Sequence, residues 1–251
     1  MPRISFTILI ALVAVACSRG PVSRSPQITV AAAANLTAVF NQLGPQFKAQ
    51  TGIEPVFAFA STAQLTRQIE HAAPFDVIAA ADAEHVDELD RKGFLTPGTR
   101  AVYAIGVLAL WVPPGSKAAV SRIEDLVLPD VHVLALANPE LAPYGQAAVE
   151  TLKHTGIWDR VKPKIVYAEN ISMARQYGAS NNADAVFTAY SLVLNDGGKI
   201  IRVDEKLHEP IVQELGIIAA SRHQDAARQF VAFLLHGAGR DALAKSGYRL
   251  P

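Results

Sequence analysis

The sequence predicts an α/β protein of two lobes, each a mixed, mostly parallel sheet flanked by helices, with a ligand cleft between them. Three observations carry this prediction. Short apolar runs of strand character alternate with amphipathic helical stretches along the chain. The alternation stops at Pro113-Pro114-Gly115 and then restarts, giving two successive α/β units of about 100 residues each. A late apolar strand followed by a helix pair remains over, and it is expected to return to the first lobe. With 251 residues, half of them hydrophobic and 18% charged, the chain has enough apolar surface for such cores.

Taken in order, Gln27–Ala33 reads as a strand that breaks into Ala34-Asn35-Leu36-Thr37 and passes at once into a helix. Leu36, Val39, Phe40, Leu43 and Phe47 share one face of that helix, and Thr51-Gly52 closes it. Residues 56–60 form a second strand that breaks at Ser61-Thr62, before a helix marked by Leu65 and Ile69. A strand over 75–80 and a helix carrying Val86 and Leu89, ended by Gly93, complete the first unit. Residues 103–112 read as one long apolar strand. After the proline break come strand 131–137, helix 146–154, strand 164–168, helix 171–178 and strands 185–188 and 199–203. A strand over 210–220 and helices over 225–235 and 240–246 follow. This order calls for crossover connections and a mostly parallel sheet.

The first 26 residues stand apart. Arg3 precedes an uncharged apolar stretch, 4–16, too short to span a bilayer as a helix and shaped like an export signal. Cys17, the only cysteine, follows Val13-Ala14-Val15-Ala16, as in a bacterial lipoprotein cleavage site, although Ala14 stands where a larger aliphatic residue is usual. Lipidation at Cys17 and ordinary secretory cleavage both remain open. In either case the exported chain has no thiol, which excludes disulfides and cysteine catalysis. Residues 18–26 read as a flexible tether.

Lysine plus arginine equals aspartate plus glutamate, so the formal net charge is zero and no basic excess points to nucleic acid. The seven histidines show no metal-ligand spacing, and there is no nucleophile elbow or phosphate-binding loop. Gly237-Ala238-Gly239-Arg240-Asp241-Ala242 matches a dinucleotide fingerprint in letters, but it follows a helix rather than a strand and reads as a helix-to-helix turn.

The chemistry lies in five loops that follow strands and precede helices: Ala34-Asn35-Leu36-Thr37, Ala60-Ser61-Thr62-Ala63, Pro143-Tyr144-Gly145-Gln146, Glu169-Asn170-Ile171-Ser172 and Thr188-Ala189-Tyr190-Ser191. None holds Lys or Arg. Each singly reads as an ordinary helix cap. Together they place neutral donors and unpaired helix-start N–H groups at strand ends in both halves of the chain, where ligands of open α/β sheets bind. A charge-assisted hydrogen bond contributes about 1.5–3 kcal/mol and a helix terminus about 0.3–1 kcal/mol. Several on one dianion reach about −8 to −12 kcal/mol, micromolar to nanomolar binding.

Ile28-Thr29-Val30-Ala31-Ala32-Ala33-Ala34-Asn35-Leu36-Thr37, Phe59-Ala60-Ser61-Thr62, Gln68-Ile69-Glu70 and Asp76-Val77-Ile78-Ala79-Ala80-Ala81-Asp82 resemble the periplasmic molybdate-binding proteins, the solute receptors of molybdate ABC importers. The resemblance continues through Asn138-Pro139-Glu140, Gly156-Ile157-Trp158 and Gly247-Tyr248 and covers nearly all of 27–251. It implies a type II periplasmic-binding fold, with one lobe from 27–105 plus 213–251 and the other from 106–212. It implies an exported monomer without cofactor that hands molybdate or tungstate to a membrane permease, the metal held as its oxyanion without direct protein ligands. By motif position the oxyanion contacts fall on Asn35, on Thr62 with Ser61 beside it, on the main chain at Tyr144 and Ile171, and on Thr188, where some members have tyrosine and where Tyr190 is the alternative.

Other readings stay open on the residues alone. Sulfate has the same shape and charge as molybdate. Phosphate carries a proton and needs an acceptor, for which Glu140 and Glu169 are the nearest candidates. An organic acid would call for an arginine clamp from Arg67 or Arg175. An enzyme on the same fold would need a base or nucleophile in the cleft, which these loops lack. A structural lipoprotein would leave the loop constellation without a reason.

Overall fold

The structure, a computed structural model, describes residues 26–251. The leader, the tether up to residue 25 and Cys17 lie outside the described residues. Two five-stranded sheets form the two lobes. In the first, β1 (Gln27–Ala33) pairs in parallel with β2 (Glu54–Ala60) and β3 (Val77–Ala79). β10 (Ile211–Ile217) then inserts antiparallel between β3 and β4 (Ala101–Gly106), giving the order β2-β1-β3-β10-β4.

The second sheet repeats this plan. β6 (Leu134–Ala137) lies parallel between β7 (Ile165–Ala168) and β8 (Ala185–Ala189). β5 (Leu108–Val112) runs antiparallel to β8 and to β9 (Lys199–Arg202), for an order β7-β6-β8-β5-β9. Each sheet is therefore mixed, with two parallel and two antiparallel pairings. The parallel pairs come from βαβ crossovers and the antiparallel ones from strands next to the chain's passage between lobes.

Helices cover the sheets. α1 (Thr37–Thr51) buries Val39, Phe40, Leu43 and Phe47 and ends on Gly52, whose φ of 74° admits the left-handed cap. α2 (Thr62–Glu70) and α3 (Glu84–Arg91) follow β2 and β3. α4 (Pro143–His154), the short α5 (Trp158–Val161), α6 (Ile171–Ala179) and the one-turn α7 (Tyr190–Val193) belong to the second lobe. The closing helices α8 (Gln224–Leu235) and α9 (Gly237–Lys245) return to the first lobe. There Phe230 meets Phe40 and Phe47 edge-on, at ring distances of 5.8 and 5.3 Å. The glycine-rich Gly237-Ala238-Gly239 segment opens α9 directly after α8, with Gly237 at φ 56°.

The structure corrects the expected long strand over 103–112. It is two strands, β4 and β5, in different sheets, and Val107 alone carries the chain across. Both strands are buried at this point, so the apolar run continues through the passage. The return passage is longer, from Arg202 to Ile211, and the late strand is shorter than expected, ending at Ile217.

Candidate functional site

The carboxyl ends of the parallel strands in both sheets point at one another. Ala34, Asn35 and Leu36 form a 3-10 turn between β1 and α1. Asn35 is 1% exposed, and its Nδ2 donates to Gln213 Oε1 at 3.0 Å and to the Tyr248 hydroxyl at 3.1 Å. Its Oδ1 is buried with no partner among the described residues. At the next strand end, Ser61 and Thr62 are both buried but differently used. Gln64 Oε1 accepts from the Ser61 hydroxyl at 2.7 Å and from the Ser61 N–H at 3.2 Å, so Ser61 is tied into its own helix start. The Thr62 hydroxyl accepts from the Ala81 N–H at 3.1 Å, and its proton meets no acceptor among the described residues.

In the second lobe, Tyr144 is the second residue of α4 and Ile171 the first of α6, where main-chain N–H groups have no partner within the helix. Asn170 caps α6 by accepting from the Met173 N–H at 3.0 Å. Thr188 lies one residue before the end of β8, and its hydroxyl is buried without a partner among the described residues.

Hydrogen bonds across the lobes join these loops. Ser172 Oγ donates to the Ala34 carbonyl at 2.8 Å, and the Ala63 N–H donates to the Leu141 carbonyl at 3.2 Å. Gln213 Nε2, from β10, donates to the Tyr144 hydroxyl at 2.9 Å. Ser191 Oγ donates to the Tyr248 hydroxyl at 3.1 Å, and Tyr248 donates to the Asn35 carbonyl at 2.8 Å. Ala33, Ala34 and Ala81 of the first lobe share one apolar cluster with Ala137, Tyr144, Ile171 and Ala189 of the second. The cleft is closed in this structure. Five of the expected residues therefore sit on loops tied to one another across it: Asn35, Thr62, Ser61, Tyr144 and Ile171. Thr188 reaches the same end of the second sheet but makes no side-chain bond to the others.

The site is electrically neutral in its own groups. Burial pushes the phenols of Tyr103, Tyr144 and Tyr248 up from their usual range, so all three keep their protons at neutral pH. The carboxylate beside the Thr62–Ala81 contact, Asp82, is engaged by His85, whose Nδ1 lies 2.8 Å from Asp82 Oδ2. That hydrogen bond raises the His85 pKa against the lowering effect of its partial burial. Among the described residues no three His, Cys, Asp or Glu side chains gather as metal ligands, and no helix is long and apolar enough to cross a membrane.

Gln213, Ser172, Ser191 and Tyr248 form the links between loops, a part that the sequence alone does not assign to them. The sequence signal for Gln213 is slight: an amide in the strand Ile211-Val212-Gln213-Glu214-Leu215, where the register with β4 shifts between Gln213 and Glu214.

Residues 28–249 match the family of bacterial extracellular solute-binding proteins. The chain is 34% identical over 236 residues to the molybdate-binding protein ModA of Azotobacter vinelandii, covering 91% of this chain and 92% of that one. It is 32% identical over 226 residues to the molybdate-binding protein ModA of Rhodobacter capsulatus, covering 88% of each. The solved structure of the Azotobacter vinelandii periplasmic molybdate-binding protein superimposes with a TM-score of 0.85, covering 89% of this chain and 99% of that one at 30% identity.

Proposed function

The chain belongs to the molybdate-binding proteins of the bacterial extracellular solute-binding family, and from that premise we propose that it captures molybdate in the periplasm and delivers it to the permease of an ABC importer. The observation that carries this reading is the set of uncharged donors at the carboxyl ends of both sheets, tied across a closed cleft with no Lys or Arg among them. A doubly negative oxyanion surrounded by hydroxyl, amide and helix-start N–H groups is held by charge-assisted bonds of about 1.5–3 kcal/mol each. It meets no fixed cation that would keep it when the lobes part.

Asn35, Thr62 and the N–H groups at Tyr144 and Ile171 are the contacts we assign, with Thr188 as the fifth. Ser61 supports the start of α2 rather than the ligand. Tungstate, alike in charge and shape, is taken as a second ligand. The protein works as a binder rather than a catalyst and as a monomer, and its lobes close on the ligand by a hinge at Val107 and the 203–210 passage. Export by the leader, with acylation at Cys17, anchors it at the membrane; mass spectrometry of the N-terminal peptide from the membrane fraction checks that step.

Calorimetric titration of the exported protein with molybdate, tungstate, sulfate and phosphate tests the function. Selective heat from the first two supports it, and silence from molybdate refutes it.

A further inference from the structure

The hydrogen-bond inventory around Asn35 points to a residue that governs what the site accepts. Both amide hydrogens of Asn35 go to neighbours, Gln213 Oε1 at 3.0 Å and the Tyr248 hydroxyl at 3.1 Å. The end left over, Oδ1, is a buried acceptor with no donor among the described residues, and a fully ionised dianion has no hydrogen to give it. Gln213, itself wholly buried, gives an N–H to the Tyr144 hydroxyl at 2.9 Å, whose own proton then meets no acceptor among the described residues. Gln213 Oε1 also competes with the Ala80 carbonyl for the single proton of Tyr103, each at 2.8 Å.

The two ends of an amide have the same shape, so turning both amides by half a turn leaves every heavy atom in place. In that arrangement the Gln213 NH2 donates to Asn35 Oδ1 and to the Tyr103 oxygen. Tyr103 donates to the Ala80 carbonyl, and Tyr144 donates to Gln213 Oε1. The Asn35 NH2 then takes the place of the orphaned Oδ1 with both hydrogens free, and the Tyr144 proton, without an acceptor before, is paired. Neither amide turns alone, because two oxygens or two NH2 groups would then face each other across 3.0 Å. The turn gives up one bond, from Asn35 Nδ2 to Tyr248: the single Tyr248 proton is then shared between the Asn35 carbonyl at 2.8 Å and Asn35 Oδ1 at 3.1 Å.

We propose that Gln213 is the positioning residue of this site: with Tyr103 and Tyr144 it selects the Asn35 orientation that offers NH2 to the bound oxyanion, and so admits a fully ionised dianion while rejecting one that carries a proton. This rests on the molybdate reading above. Tyr144 belongs to the other lobe, so the selection is complete only when the lobes meet. Gly106 makes the meeting possible: a Cβ there would lie 2.7 Å from Gln213 Nε2 and 2.8 Å from Tyr144 Cζ.

The test has two arms. In molybdate-loaded, isotope-labelled protein, the Gln213 side-chain NH2 is expected to show nuclear Overhauser effects to the Tyr103 ring and not to the Tyr144 ring. This needs no variant and decides the orientation even if substitutions at 213 do not fold. In calorimetry at pH 8, hydrogenarsenate serves as a dianion of similar shape that bears one proton. Gln213→Met is expected to weaken molybdate about tenfold and to narrow the preference for molybdate over hydrogenarsenate. In the Asn35→Ala background the same change is expected to alter molybdate affinity by less than about twofold, because Gln213 acts through Asn35. Effects from the Gln213 NH2 to the Tyr144 ring, or equal losses in both backgrounds with an unchanged preference, overturn the proposal while leaving molybdate binding intact. An unaltered protein that ignores molybdate removes the functional reading and this inference together.

Discussion

Replacing Gly106 by alanine should hold the lobes apart at a larger cost to closure than to the first lobe itself. Gly106 ends β4 next to the passage at Val107, and its φ is not positive, so the backbone accepts a side chain there. The obstacle is space. The new Cβ would sit 2.8 Å from Tyr144 Cζ, and closer still to the hydroxyl oxygen, where an ordinary contact needs roughly 3.5 Å. Gln213 Nε2, 2.7 Å away, is the far end of a side chain in the same lobe and must turn aside, but Tyr144 comes from the opposite lobe, so the phenol can retreat only if the cleft opens. Overpacking costs about 1–3 kcal/mol, and the lost Gln213–Tyr144 bond about 0.5–1.5 kcal/mol. Together these weaken molybdate binding by roughly 10- to 2000-fold. Titration calorimetry measures the affinity, and thermal melting with and without molybdate separates closure from folding. The unliganded melting temperature should fall only by what the displaced Gln213 amide costs within its own lobe, and the ligand-induced rise should shrink. Unchanged affinity, or an unliganded protein destabilised as much as the complex, would refute the wedge.

Three further outcomes follow from the same geometry. Thr62→Ala should weaken molybdate by about 1–3 kcal/mol, whereas Ser61→Ala should cost about 1 kcal/mol of stability through α2 with little change in affinity; the reverse pattern in paired titrations and melts would exchange their roles. Thr188→Val removes a buried hydroxyl that has no partner, so it should leave stability unchanged or raised while weakening molybdate about tenfold. Full affinity in that variant would take Thr188 off the contact list. Tyr103, Tyr144 and Tyr248 hold their protons in the folded state above the unfolded value near 10, so the unfolded chain ionises first as pH rises. Their share of stability is therefore flat from pH 7 to 9 and falls above pH 10, approaching about 4 kcal/mol per pH unit for the three. Denaturant melts that keep constant stability through pH 11 would contradict this.

Much of this arrangement is legible in the sequence because it is written in local chemistry. A strand that breaks into Asn35-Leu36-Thr37 or Ser61-Thr62 before a helical period marks a strand end with a donor on it, and both fell where expected. What escaped depends on partners distant in the chain. The choice between Ser61 and Thr62 is made by Gln64, which takes the serine hydroxyl, and by Ala81, which gives Thr62 an N–H. Gln213 looks like any amide in an apolar strand until the fold sets it between Asn35, Tyr103 and Tyr144. The passage at Val107 left no mark either, since residues buried on both sides of it keep the run apolar.

The place of β10 also governs the order in which the molecule can be made. The second sheet uses one uninterrupted stretch of chain, from Leu108 to Arg202, and has all its strands as soon as that stretch has crossed the membrane. The first sheet has a gap between β3 and β4 until residues 211–217 emerge, long after its other four strands. During vectorial translocation the later-starting lobe is therefore the earlier one to mature, and the N-terminal half must wait, unpaired edges exposed, for the chain to come back and fill it.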